Sequence, residues 1–513
     1  MQDNNYYLRI AKAADLKNPK ERTLYRLLEI FPGAFSWLTL FLAFLLSWLA
    51  PVWVAIFIIP FVLYWFFRTI YLSFHLRAGY QMMRNNEKTD WISKLDELKG
   101  KKWRQIHHLV ILPMYKEPME IVRNSFLSLV NCDYPKEKMI VVLALEERAT
   151  EHNKIIAEAI EKEFKNKFFK FLITWHSKDL AGEIAGKGAN ETWAAKEVKN
   201  KIIDKLKISY QNIIFSSFDA DTVIFPKYFS CLTYYYLTSK SPTKTSFQPI
   251  PLFINNIWQV PPFSRVFAFS STFWHTMNQE RPEKLITFSS HSMSFQALVD
   301  VGFKQTDVVS DDSRIFWQCF LKNNGDYQVQ PIFYPISMDA NVAKSTIRTL
   351  INIYKQQRRW AYGVADIPYF LFGFLKNKKV PLGKKISLGF ELIEGHWSWA
   401  TASFLIFFLG WLPLILGGAE FSQTLLSYNL PRITSQILTV SMIGLISSAY
   451  FSLILLPPKP PKYGRFKFVL LFLEWFLLPV IMIFFTSFPA LDAQTRLMLG
   501  KYMGFWPTEK VRK

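Results

Sequence analysis

Two long apolar blocks adjoin near the start of the chain, and shorter apolar runs interrupted by polar residues follow. "AFSWLTLFLAFLLSWLA" (34–50) and "VWVAIFIIPFVLYWFF" (52–67) flank Pro51, and the next charge is Arg68. Each block approaches the length that crosses about 30 Å of hydrocarbon, which predicts a transmembrane helical hairpin over 34–74. One long buried core helix is the alternative. Lys17, Lys20, Arg22 and Arg26 precede the pair, and Arg68 and Arg77 follow it. Both ends are therefore expected in the cytoplasm, with the turn at Pro51 outside.

From 78 to 345 the pattern is that of an α/β domain. "HLVILPMY" (108–115), "MIVVLALEE" (139–147), "FKFLITWH" (169–176) and "NIIFSSFDAD" (212–221) predict strands, and helical patterns lie around 117–131, 152–166 and 190–206. Such alternation predicts a mainly parallel sheet with its ligand at the strands' C-terminal ends. Residues 346–392 are expected to form interfacial helices. A C-terminal membrane region over 393–490 is expected to hold about three spans, near 397–418, 433–456 and 467–488, and to leave a tail over 491–513. The loop between the first two of these spans carries only Glu420 and Arg432 and is expected outside, whereas the basic "PPKPPKYGRFK" (457–467) is expected inside. That layout exports the tail, yet the tail's own basic residues favour the cytoplasm. Glu474 and Pro479 point to a bent or re-entrant last segment.

Half of the 513 residues are hydrophobic and 17% are aromatic, which fits a membrane partition. The formal charge of +21 opens three classes of partner: nucleic acid, anionic lipid headgroups, or an acidic small substrate. The basic residues lie scattered over flanks and loops and form no nucleic-acid module, so no nucleic-acid partner is expected. Beyond Glu474 the spans hold few polar residues, which argues against a transporter. Cys132, Cys231 and Cys319 lie far apart with no metal-type spacing and read as reduced, buried thiols. Residues 1–33 are polar and charged, lack a signal-peptide layout, and are expected to be a cytoplasmic N-terminal segment.

The sharpest chemical signal is "FDADT". On extended chain Asp219 and Asp221, at i and i+2, point to the same side, and two carboxylates at a strand end suit Mg²⁺ or Mn²⁺ shared with a diphosphate. A surface turn with two acids is the alternative. The first two strands end at Glu117 and at Glu146–Glu147, acids placed to accept hydrogen bonds from a nucleoside or to sit solvated in loops. "AGKGANETWA" (185–194) offers Lys187 beside two glycines, which suits a phosphate or base, or else a helix start capped near Asn190. "VVSDDSRIFW" sets Asp311 beside Asp312. Repulsion between them is expected to raise one pKa, as a general base requires, and a helix start at Ser310 or Asp311 is compatible with that. In "YKQQRRWAYGV" a helix over 345–362 puts Gln356, Arg359 and Trp360 on one face, with hydroxyl, diphosphate and sugar-stacking capacity respectively. A basic amphipathic helix on a membrane surface is the alternative, and Arg358 is expected to point to lipid.

Asp219-Ala220-Asp221, Ser310-Asp311-Asp312 and Gln356-x-x-Arg359-Trp360, in that order between apolar spans, resemble the membrane-integrated family-2 glycosyltransferases, which include cellulose, chitin and hyaluronan synthases. "GKGAN" is similar to that family's Lys-Ala-Gly-Asn segment, and Ser310-Asp311 stands where Thr-Glu is usual. The resemblance covers about 105–365. It implies a GT-A (Rossmann-like) cytoplasmic catalytic domain inserted between transmembrane helices of an inner or plasma membrane. It also implies an inverting transferase that moves a sugar from a nucleotide-sugar donor, expected to be a UDP-sugar, to a growing polysaccharide. Single-sugar transfer to a lipid-linked acceptor is the alternative product. By the same resemblance Glu117, Glu146, Lys187 and Asp219 bind the donor nucleotide. Asp219 and Asp221 hold the metal, Asp312 is the catalytic base, and Gln356, Arg359 and Trp360 hold the diphosphate and the acceptor sugar.

Overall fold

A computed structural model describes residues 5–149 and 151–508. The first four residues of the expected N-terminal segment and residues 509–513 of the expected tail lie outside the described residues. Among the described residues, eight strands make one sheet: β1 (His107–Met114), β2 (Met139–Glu146), β3 (Lys170–His176), β4 (Ile213–Ser217), β5 (Val223–Ile224), β6 (Thr245–Leu252), β7 (Ser292–Ser294) and β8 (Gln328–Ser337). Their order is β3-β2-β1-β4-β7-β6-β8-β5. β1 to β4 run parallel, with Ile111 opposite both Val142 and Ser217. The parallel arrangement is interrupted there by β7, which enters between β4 and β6 antiparallel to both, while β6 and β8 again pair parallel and β5 lies antiparallel at the edge.

The strands are continuous apolar runs because both faces of the sheet are covered. Alternation along each strand divides the core. Leu109, Ile111, Ile140 and Val142 supply one layer, and Val110, Leu112, Val141 and Leu143 supply the other. β2 and β3 extend the sheet on one side of β1, whereas β4 lies on the other side. The strand order therefore reverses at β1 and β4, the place where open α/β sheets collect their ligands.

Among the described residues, four helical stretches are long and apolar enough to cross a membrane: Pro19–Leu49, Pro51–Lys88, Leu425–Ile454 and Phe466–Met498. The span expected at 397–418 does not form a single helix. The Leu382–Phe404 helix passes into a widened turn at Leu405–Leu409 and then into short helices at Leu412–Leu416 and Gly418–Ser422. Pro413 lacks the amide a helix interior needs, and Gly418 adopts φ +74°, which breaks the helix again. The last stretch is irregular around Glu474 and Pro479, with a 3₁₀ turn at Glu474–Leu477 and a widened turn at Ile483–Ser487. Glu474 is held there by the Arg265 guanidinium, which donates to both of its carboxylate oxygens at 2.5 Å.

At both ends of the described residues the chain packs on the α/β domain. Tyr7, Leu8, Ile10, Ala13 and Leu16 are buried in one of the two sheet layers, and the Arg314 guanidinium donates to the Ile10 carbonyl at 3.2 Å. Arg26 donates to the carbonyls of Leu497 and Met498 at 3.0 and 2.5 Å, tying the first apolar helix to the last.

Candidate active site

Beyond the ends of β1 and β4 the charged groups alternate in sign. Asp219 Oδ1 lies 2.8 Å from Lys187 Nζ, and the same ammonium lies 3.0 Å from Asp312 Oδ2. The other oxygen of Asp312 lies 2.9 Å from Lys304 Nζ, which also contacts Glu191 at 2.7 Å and Asp311 at 3.0 Å. Ser217, the last residue of β4, accepts from Lys304 at 2.9 Å and donates to Glu191.

Three local structures place these groups. Asp311 and Asp312 open the Asp311–Lys322 helix, where the helix dipole favours negative charge. Lys187 opens the Lys187–Val198 helix and stands one turn before Glu191. That helix begins four residues earlier than a cap at Asn190 implies, with Gly186 at the cap position. The Asn190 amide is committed elsewhere, donating to the Ala144 carbonyl of β2 at 2.9 Å. Gly188 lets the two helix starts meet, since a Cβ there would stand 2.7 Å from Asp311 Cβ.

Burial alone would push Asp312 up, but the Lys187 and Lys304 ammonium groups outweigh it and hold the carboxyl well below the usual range. The raised member of the adjacent pair is Asp311, lifted first by burial and then by Asp312. The expectation of a raised pKa thus falls on the buried neighbour, because, of the adjacent pair, Asp312 alone lies within ion-pair distance of both ammonium groups. Burial also raises Glu191. Lys187 and Lys304 are raised despite burial, because carboxylates surround both. His291 Nδ1 stands 3.7 Å from Asp312 Oδ1, but burial pushes this imidazole down to about 3, so it faces the carboxylate uncharged at neutral pH.

Two acidic groups bear on metal binding. The carboxylates of Glu191, Asp311 and Asp312 offer oxygens within 4.8 Å of one another, a hard donor set suited to a divalent cation. Lys304 Nζ already contacts all three, so this cage holds an ammonium. The second group is Asp219 with Asp221, and the structure corrects their expected orientation. β4 stops at Ser217, and Asp219 to Thr222 form a turn closed by the Thr222 amide donating to the Asp219 carbonyl at 2.9 Å. The same-side rule for extended chain does not operate in a turn. Asp221 is 1% exposed, and its Oδ2 accepts from the Asp339 amide at 3.0 Å. The Asp219 side chain is 26% exposed and accepts from the Ser289 hydroxyl at 2.7 Å. As a partly exposed carboxylate, Asp219 is the member of the pair whose chemistry and position fit a divalent cation.

At the ends of β1 and β2, Glu117 curls back onto its own loop and accepts from the amides of Tyr115 and Lys116 at 2.7 and 3.1 Å. Glu146 is buried and ion-paired with Arg148, whose guanidinium lies 4.4 Å from the centre of the Tyr115 ring. Glu147 accepts from the Lys178 amide at 3.2 Å.

The Thr346–Ala361 helix carries the remaining predicted residues. Gln356 Oε1 accepts from the Asn341 side chain at 3.1 Å. Arg359 is drawn toward the acids. Burial lowers its pKa, and Asp219, Asp311 and Asp312 oppose that shift. Its guanidinium lies 4.8 Å from the Phe505 ring of the C-terminal segment. The same ring abuts Gly186, where a Cβ would stand 2.6 Å from Phe505 Cγ. Trp360 is half-buried, with ring centres 6.3 Å from Phe253 and 6.1 Å from Phe267. Arg358 does not face lipid. It pairs with Asp492 of the last helix at 2.9 Å, beside the Tyr354 hydroxyl that stands one turn earlier.

Lys304, Glu191 and Arg148 are the groups that sequence reasoning missed. Glu191 was legible in principle, one turn after Lys187 in "KGANE". Lys304 sits in an irregular loop with no motif around it, and only tertiary folding brings it to the acids.

The family model described as "Glycosyl transferase family group 2" matches residues 214–488, more than half of the chain, and the chain belongs to that family. It is a glycosyltransferase, with an α/β domain between apolar helices. Among solved structures, the mannosyltransferase PcManGT from Pyrobaculum calidifontis, in complex with GDP-Man and Mn²⁺, aligns with a TM-score of 0.41 at 14% identity, over 74% of this chain and 99% of that one. S. aureus TarS 1–349 in complex with UDP-GlcNAc aligns with a TM-score of 0.37 at 12% identity, over 77% and 93%. GalNAc-T7 with UDP, GalNAc and Mn²⁺ aligns with a TM-score of 0.34 at 10% identity, over 57% and 58%. These are distant likenesses from which no residue role is taken. No curated protein matches the chain.

Proposed function

We propose that this protein is a membrane-bound inverting glycosyltransferase that moves a sugar from a UDP-sugar to a growing polysaccharide, with its α/β domain in the cytoplasm. The observation that carries the proposal is the alternation Asp219–Lys187–Asp312–Lys304 across the strand ends, with the Arg359 guanidinium within electrostatic reach of its acids. Asp312 is the base. It takes the proton of the acceptor hydroxyl as that oxygen bonds to the anomeric carbon and the bond to the nucleoside diphosphate breaks. Lys187, shared between Asp219 and Asp312, is placed to turn to the incoming diphosphate, and its departure would make Asp312 more basic when the donor is bound. Arg359 meets the negative charge that develops on the leaving group.

Glu146 with Arg148, and the loop stiffened by Glu117, form the nucleoside side. Gln356 and Trp360 form the acceptor side. A divalent cation, Mg²⁺ or Mn²⁺, would be held at Asp219 with Asp221 behind it, and when bound would neutralise charge on the diphosphate. The test incubates the purified full-length protein in membrane vesicles with a panel of radiolabelled nucleotide sugars, with Mg²⁺, Mn²⁺ or EDTA, and sizes the product. Consumption of a UDP-sugar into a long polymer, stopped by EDTA, is the expected result. A product of one sugar on lipid would overturn the polymer assignment, and turnover in EDTA would overturn the cation assignment.

A further inference from the structure

A cleft of about 580 Å³ lies between the Pro51–Lys88 and Leu425–Ile454 helices and shares no lining residue with the charged site. Its size falls within the range of about 300–1,000 Å³ common to ligand sites. The two helices run in the same direction along it. Thr69 packs against Gly444, where any Cβ would collide with the threonine methyl, and further on the Tyr80 ring meets Phe451 at 5.5 Å. The wall is apolar over most of its length, with Phe66, Ile70, Phe74 and Ile443. The hydroxyls of Ser73 and Ser441 donate to carbonyls of their own helices, so they make no demand for a polar ligand.

One end differs. Arg77 and Gln81 line the cleft where the first helix approaches the α/β domain, with Gly79 against Thr276 and Asn86 donating to the Ile332 carbonyl of β8. No acidic residue lines the cleft, and among the described residues no carboxylate lies within ion-pair distance of Arg77. Its neighbours on the same helix are paired, Arg68 with Glu394 at 2.6 Å and Arg84 with Glu87 at 2.8 Å. An exposed guanidinium without a counter-ion, at the head of an apolar cleft between two membrane-length helices, describes an amphipathic anion in outline.

We propose that this cleft binds an anionic phospholipid, with its phosphate on the Arg77 guanidinium and an acyl chain along Phe66, Ile70, Phe74 and Ile443. Guanidinium matches phosphate geometrically as well as in charge, and in a membrane the acyl chain needs no further partner than the apolar wall. A soluble phosphate shares the headgroup chemistry and would leave that wall unused.

Native mass spectrometry of the full-length protein in detergent, titrated with dioleoylphosphatidylglycerol against dioleoylphosphatidylcholine, tests this. The wild type is expected to retain one phosphatidylglycerol per chain in preference to phosphatidylcholine. Arg77→Gln should weaken that preference by roughly fivefold, the contribution of one basic residue at an anionic surface. Ser73→Trp fills the middle of the cleft and should abolish retention of either lipid. Arg84→Gln, altering a paired arginine outside the cleft, should behave as wild type. Unchanged preference in Arg77→Gln, or full retention in Ser73→Trp, would overturn the site. Displacement of the lipid by millimolar inorganic phosphate would overturn the lipid in favour of a soluble anion.

Discussion

Replacing Lys304 with Met tests the electrostatics at the proposed base. The ammonium lies 2.9 Å from Asp312 Oδ1, and at an effective dielectric of about 20 two unit charges at that separation attract by roughly 6 kcal/mol. Water reaches part of Asp312, whose side chain is 21% exposed, and Lys187 remains on its other oxygen, so the realised effect is smaller. A neighbouring opposite charge ordinarily lowers a carboxyl pKa by about 1–3 pH units, and the variant returns that amount.

The sign follows from the wild-type state. Asp312 sits below the usual range and stays ionised throughout ordinary pH. Without Lys304 it keeps only Lys187 in ion-pair contact, with Arg359 acting at longer range, Asp311 and Glu191 beside it and His291 neutral, and it takes up a proton at higher pH. The acid limb of the kcat/KM profile for the UDP-sugar should therefore move up by about 1–3 pH units, with UDP affinity above the limb little changed. Losing one partner of a buried ion cluster also costs about 3–5 kcal/mol of stability. The double variant Lys304→Met with Glu191→Gln removes one charge of each sign and should recover much of that loss while keeping the shifted limb. An acid limb that stays in place in a folded variant would refute the reasoning.

Further outcomes follow from named contacts. Gly188→Ala forces a Cβ to within 2.7 Å of Asp311 Cβ, so the two helix starts must part. A loss of about 1–3 kcal/mol in thermal unfolding and a lower kcat are expected. Arg358→Ala breaks a pair whose side chains are 22% and 25% exposed, so it should cost only about 0.2–1 kcal/mol and leave turnover near wild type. Arg359→Ala, one residue on, should lower kcat by about 10²–10³ at unchanged stability. Glu474→Gln strands the buried Arg265 charge and should lower stability by about 3–5 kcal/mol, whereas Arg265→Met with Glu474→Leu should recover most of it.

The parallel half of the fold was legible because its strands are apolar runs that stop at acids, and β1 to β4 lie within a residue or two of those runs except at the end of β4. That exception mattered. Reading "FSSFDAD" as strand carried Asp219 and Asp221 to one side, while the chain turns after Ser217 and sends Asp221 inward. The two antiparallel strands were not legible, since β5 and β7 are two and three residues long and owe their existence to neighbours far away in sequence. Hydropathy marked the third apolar span but did not register that Pro413 and Gly418 interrupt it. Helical spacing grouped Gln356, Arg359 and Trp360 but could not reveal that Asp492, 134 residues on, waits for Arg358. Lys304 shows the same limit, because a buried cation with three acidic partners leaves no local pattern.

The most direct test of the central claim is the turnover of Asp312→Asn at saturating UDP-sugar, with UDP binding measured on the same preparation. Asparagine keeps the shape of the side chain and removes its capacity to take a proton. Transfer should fall by about 10²–10⁴ while UDP affinity stays close to that of the wild type. Turnover near wild type would show that another group receives the acceptor's proton.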